Sequence, residues 1–152
     1  MDYLNPLSSE FWAMVGAAVA CGAVVGLERQ IVGKPAGVRT SILVCLGAAI
    51  YIHLGEAASH GGADHTRVLG QLVTGVGFLG AGVMFSRKGV VSGVTTAAVI
   101  WLLAGIGAAV GMGLYKGAFA LAITTVLVLV GMELLESSLQ WLTRGVHRRQ
   151  EE

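Results

Sequence analysis

Between Gly75 and Trp101 the chain reads GVGFLGAGVMFSRKGVVSGVTTAAVIW, two apolar glycine-dense runs either side of a short turn carrying Arg87 and Lys88. Gly75, Gly77, Gly80 and Gly82 crowd the first run, and Thr95 and Thr96 open the second. In water, each glycine inside a helix costs up to about 1 kcal/mol against alanine. In lipid the backbone has no water to bond, so it must pair internally, and a missing side chain lets neighbouring helices approach closely. The stretch is membrane sequence made for helix packing. With 55% hydrophobic residues, 12% charged and a mean hydropathy of +0.75, the rest of the chain agrees. Soluble domains run nearer about 25% charged.

Five apolar runs predict an all-α membrane protein of five transmembrane helices: residues 11–27, 38–54, 68–85, 94–114 and a fifth from Ala118. Ser8 or Ser9 caps the first, with Glu10 at its positive end. A polar loop, ERQIVGKPAG, starts at Glu28 and is broken by Pro35 and Gly37. The SRKGVVSG segment reads as a loop, and Tyr115, Lys116 and Gly117 as a tight return. Leu135, Leu139 and Leu142 carry the last helix on at helical spacing to Leu142.

The basic residues orient these spans. Arg29, Lys34, Arg39, Arg87, Lys88, Arg144, Arg148 and Arg149 fall on one side, and only Arg67 and Lys116 on the other. The positive-inside rule then places the N-terminus outside and the C-terminus in the cytoplasm. The expected division is a periplasmic segment over residues 1–10, a five-helix transmembrane domain over 11–142 and a cytoplasmic tail over 143–152. The acidic start MDYLNPLSSE lacks a basic n-region, so no cleaved signal peptide is expected. Cys21 and Cys45 lie inside apolar runs and read as inert buried thiols.

Shifted by fifty-six positions, spans one and two fall on spans three and four without a gap. Gly26 meets Gly82, Gly33 meets Gly89, Gly37 meets Gly93, Val38 meets Val94 and Thr40 meets Thr96. Repeats two spans long keep their orientation, so an axis along the membrane normal would relate the copies. The copies differ in charge: Glu28 falls on Met84, Arg29 on Phe85 and Arg39 on Thr95.

Those differences pick out the residues able to carry chemistry. Charge near lipid is costly, so Glu28, Arg29 and Arg39 are either headgroup-level anchors or part of a polar pocket facing the cytoplasm. In the second reading Glu28 pairs with Arg39 across the hairpin, and Thr40, Thr95 and Thr96 line the pocket. Glu133 and Glu136, at i and i+3, share a face of the last helix and either snorkel or approach Arg29 or Arg39. A carboxylate pair suits a hard cation such as Mg²⁺, but nothing in the spacing demands one, and no metal site or cofactor is predicted. His53, His60 and His65, beside Glu56 and Asp64, match no zinc spacing and read as solvated.

The packing glycines are Gly26, Gly75, Gly77, Gly80, Gly82, Gly93, Gly107 and Gly111, with GxxxG spacings at Gly22/Gly26 and Gly107/Gly111. They suit contacts within one chain or between chains, and a homo-oligomer is expected. No strand precedes them, which excludes a dinucleotide or phosphate loop. Basic residues without interleaved aromatics exclude nucleic acid as a partner. No Ser-His-Asp or HExxH arrangement points to an enzyme.

The strings GLERQIVGKPAGVRTSILVCLGAA (Gly26–Ala49) and GVGFLGAGVMFSRKGVVSGVTTAAVIWLLAGIGAAVG (Gly75–Gly111) resemble the MgtC/SapB family of bacterial inner-membrane proteins. The family's GLER and AGxRT elements fall on Gly26–Arg29 and Ala36–Thr40. Its GFLGAG and GxTTAAxxW elements fall on Gly77–Gly82 and Gly93–Trp101. The resemblance implies a five-span domain in the bacterial inner membrane, linked to magnesium limitation, acid stress and virulence. Some members carry a cytoplasmic C-terminal domain, and this chain resembles the short form without it. Two functions stay open: a non-enzymatic modulator of another inner-membrane protein, and a transporter or channel for Mg²⁺ or another small solute. With almost no ionisable group at mid-depth in spans three and four, the modulator is the expected reading.

Overall fold

The computed structural model describes residues 5–58, 65–87 and 90–138. Among the described residues there are five helices: α1 (Ser9–Ile31), α2 (Val38–Ala58), α3 (His65–Val83), α4 (Val94–Gly111) and α5 (Tyr115–Ser138). Between α3 and α4 lies a two-stranded antiparallel hairpin, β1 (Phe85–Arg87) and β2 (Val90–Ser92). Helices α1, α2, α4 and α5 are long and apolar enough to cross a membrane, and α3 carries a shorter apolar stretch, Arg67–Val83. The chain is a multi-pass membrane protein.

Most helix ends shift by a few residues from the sequence reading, and three of the differences bear on the site. The first helix does not stop at Leu27 but runs to Ile31, taking Glu28 and Arg29 out of the expected loop. Glu, Arg and Gln are good helix formers, and the true stop is Gly33 at φ +70. There Gly33 N–H donates to Gln30 O (3.2 Å) and Lys34 N–H to Arg29 O (2.8 Å), closing the last turn. The return before α5 is likewise made by Gly113, φ +74, and not by Tyr115 to Gly117, which already belong to the helix. The expected SRKGVVSG loop, together with Phe85 from the expected end of the third span, forms β1 and β2, with Phe85 opposite Ser92 and Arg87 opposite Val90. The continuation from Leu139 to Leu142 and the tail lie outside the described residues, as do His60 and Asp64.

Ser8 caps α1 by accepting a hydrogen bond from Phe11 N–H (3.2 Å), as its position suggests. The two hairpins, α1–α2 and α3–α4, begin their second helices at equivalent residues. Ser41 N–H donates to Gly37 O (3.0 Å), and fifty-six positions later Ala97 N–H donates to Gly93 O (2.9 Å).

Packing centres on α4. The core joins Met14, Ala18, Cys21 and Val25 of α1 to Cys45 and Ala49 of α2, and to Val99, Leu103, Ile106 and Val110 of α4. Ala118 and Ala122 of α5 close it, and a smaller cluster of Ala48, Val76, Ile100 and Ala104 seats α3. Glycines set the helix spacing. A methyl on Gly26 would lie 2.6 Å from Val38 Cα, and one on Gly111 2.6 Å from Ala49 O. On Gly107 it would strike the carbonyl of Cys45. Gly80 makes only ordinary contact with Ala97, while a methyl on Gly75, Gly77 or Gly82 would meet nothing within 4 Å among the described residues. Those three turn outward.

Candidate functional site

The inward stripe of α1 runs Met14, Ala18, Cys21, Val25 in steps of three and four, and the same spacing carries it on to Glu28 and Arg29. Both charges are therefore driven into the bundle end where a hydrophobic residue would sit. Their side chains are only 7% and 5% exposed. Arg29 Nε and Glu28 Oε2 stand 3.6 Å apart, close enough to pair but too far to hydrogen-bond. Neither atom has a hydrogen-bond partner among the described residues. Adjacent residues on a helix diverge by about 100°, so the pair holds only because both side chains curl toward one space.

That space is a cleft of about 680 Å³ at the end of the bundle. The end of α1 supplies Glu28 and Arg29, and the turn after it adds Val32, Lys34 and Pro35. Val83 of α3, Phe85, Val91 and Ser92 of the hairpin, and Gly93 to Thr96 at the start of α4 form the next wall. Helix α5 closes the other side. Its inward stripe, Ala118, Ala122, Thr125, Leu129, steps on to Glu133 and Glu136, where the helix stands clear of the bundle and both carboxylates are exposed into the cleft.

Five of the seven expected pocket residues come together here: Glu28, Arg29, Thr95, Thr96 and Glu133. Thr96 is buried and Thr95 exposed. Arg39 and Thr40 do not line the cleft. Both are exposed on the second and third residues of α2, whose neighbours Val38, Ser41 and Ile42 face α1 instead. Glu28 thus pairs with Arg29 and not with Arg39. The expected pocket omitted Lys34, Glu136 and the hairpin. A valine pair beyond a Lys-Gly dipeptide was the signal for β2.

The start of α4 is open. Its cap, Gly93 at φ +88, offers no side-chain hydrogen bond, and a methyl there would strike the carbonyl of Val83. The first amides of α4 have no intrahelical acceptor, so the positive end of the helix faces the cleft beside Arg29. Among the described residues, no three His, Cys, Asp or Glu side chains converge as a metal site.

Comparison with known families matches residues 15–138 to the MgtC family. YhiD of Escherichia coli K12, provisionally named a magnesium transporter, is 42% identical over 123 residues, 76% of this chain and 57% of its own length. The SapB protein of Bacillus subtilis 168 is 34% identical over 152 residues, covering 95% of this chain and 61% of its own. The MgtC protein of Brucella abortus 2308 is 38% identical over 137 residues, covering 90% and 56%. The chain thus spans little more than half the length of these curated relatives. No solved structure matches it.

Proposed function

Because this chain belongs to the MgtC family, we propose that it is a non-enzymatic protein of the bacterial inner membrane that supports growth at low magnesium by modulating another membrane protein. Its working part is the cleft at the basic end of the bundle. One observation carries this reading: the buried Glu28–Arg29 pair, with an unsatisfied atom on each residue, opens into that cleft. Evolution seldom leaves a buried ion pair half-satisfied without a use, since each such group costs about 1–3 kcal/mol or more.

The arrangement also supports five crossings. The ends of α1, α3 and α5 and the start of α4 all meet at the cleft, as alternating spans require. At 1.5 Å per residue, α3 is about 28 Å long, close to the roughly 30 Å hydrocarbon core. With Arg29, Lys34 and Arg39 at this end, the cleft faces the cytoplasm and the N-terminus lies outside. The outward Gly75, Gly77 and Gly82 suit contact with a second copy or with the modulated partner.

Transport is the competing reading, favoured by the name given to YhiD. Behind the cleft, however, the α1–α2–α4 interface is packed with Ala, Cys, Val, Leu and Ile side chains, and no acidic residue of the described α4 lies at mid-depth to receive a cation. Purified protein in liposomes is therefore expected to give no saturable Mg²⁺ uptake above that of empty vesicles. Saturable uptake that competing divalent ions block, and that Glu28→Gln removes, would make it a transporter.

A further inference from the structure

We propose that the cleft binds a phosphate headgroup that also carries an amine, with the phosphate at the start of α4 and the amine at the carboxylates of α5. The inference rests on the cleft's being the working site, and gives that site a ligand class.

Two independent features make the phosphate end. The uncapped start of α4 presents the amides of Val94, Thr95 and Thr96 and the positive end of the helix dipole to the cleft, the arrangement that holds oxyanions. Beside it lies a guanidinium nine-tenths buried, whose Nε has no hydrogen-bond acceptor among the described residues. A guanidinium fork matches phosphate oxygens geometrically. Lys34, exposed at the mouth, adds a second cation.

The opposite wall has the opposite sign. Glu133 and Glu136 are exposed on one face of α5, and among the described residues no salt bridge engages either. Together they form a seat for an ammonium group. They do not assemble the oxygen-rich shell a bare divalent cation prefers. The lining also includes the apolar side chains of Phe85, Val128 and Met132. The ligand chemistry is phosphoethanolamine-like, and its source is either a membrane lipid or a soluble phosphodiester.

The test is thermal unfolding of the full chain in neutral detergent. It is titrated with short-chain phosphatidylethanolamine, phosphatidylglycerol of the same chain length, glycerophosphoethanolamine, inorganic phosphate and MgCl₂. Phosphatidylethanolamine is expected to raise the midpoint saturably and to bind about tenfold tighter than phosphatidylglycerol. The Glu133→Gln/Glu136→Gln double variant should erase that preference by weakening phosphatidylethanolamine binding, while phosphatidylglycerol, relieved of two nearby negative charges, binds no more weakly than before. Lys34→Gln should weaken both. These substitutions are at exposed positions, so the test does not depend on an Arg29 variant folding. If glycerophosphoethanolamine matches the lipid, the source is soluble; if only the lipid binds, it is the bilayer. Equal binding of the two lipids, no saturable shift, or the same stabilisation from MgCl₂ alone would overturn the assignment. Should it fall while charge reversals in the cleft still abolish growth at low magnesium, the working-site reading stands without this ligand.

Discussion

Arg29→Met is expected to destabilise the folded protein by about 3–5 kcal/mol, the usual cost of leaving one partner of a buried ion pair behind. Glu28 would keep its charge in a site only 7% exposed, with the cation that pairs with it among the described residues gone. Glu28→Leu should do comparable harm by stranding the guanidinium. The double variant, Glu28→Leu with Arg29→Met, is expected to recover most of the loss, because two apolar side chains would simply extend the stripe of Cys21 and Val25. Unfolding in detergent, followed for all three variants, checks this. If the double variant loses as much as the two single losses summed, the charges act independently and the pair has no energetic meaning.

A comparably large loss is expected for Gly107→Ala. The added methyl would meet the carbonyl of Cys45 and lie 2.8 Å from Ala48 Cβ, both on a helix that cannot move away without breaking the core. Overpacking of this kind costs about 3 kcal/mol, at the top of its usual range, and the α2–α4 contact should open. Gly105, two residues earlier on α4, meets nothing within 4 Å and is the control. Gly105→Ala should be neutral or gain about 0.5–1 kcal/mol in helix propensity. Recovery of monodisperse protein after heating separates the two. Equal tolerance would mean that α2 and α4 do not pack as described.

The helices themselves were plain in the sequence, because a run of apolar residues long enough to span lipid is a local property. So was the gathering of Glu28, Arg29, Thr95, Thr96 and Glu133, which the basic turns and threonine starts already placed at one end of the bundle. Arg39 and Thr40 stand outside the cleft, because a helix start in sequence says nothing of which face turns inward. Val38 and Ser41 take the α1 side of α2, leaving the two residues between them outside. Thr96 occupies the position equivalent to Thr40 in the repeat, yet it is buried, because α4 lies at the centre of the bundle and has neighbours on more sides. That asymmetry is tertiary and leaves no mark in the repeat. The run-on of α1 was legible. Its stripe of inward residues continues at the same spacing into Glu28 and Arg29, and Pro35 lies beyond the stop that Gly33 sets.

The most direct test of the cleft as the working site is growth at limiting Mg²⁺ of a bacterial strain lacking its own MgtC-family protein, with each variant matched for membrane level. Lys34→Glu and Glu133→Lys reverse exposed charges inside the cleft, whereas Arg39→Glu reverses an exposed charge outside it. Loss of rescue by both cleft reversals, with rescue kept by Arg39→Glu, is the predicted result. Full rescue by the cleft variants, or failure of Arg39→Glu alone, would contradict it and move the working site to the start of α2.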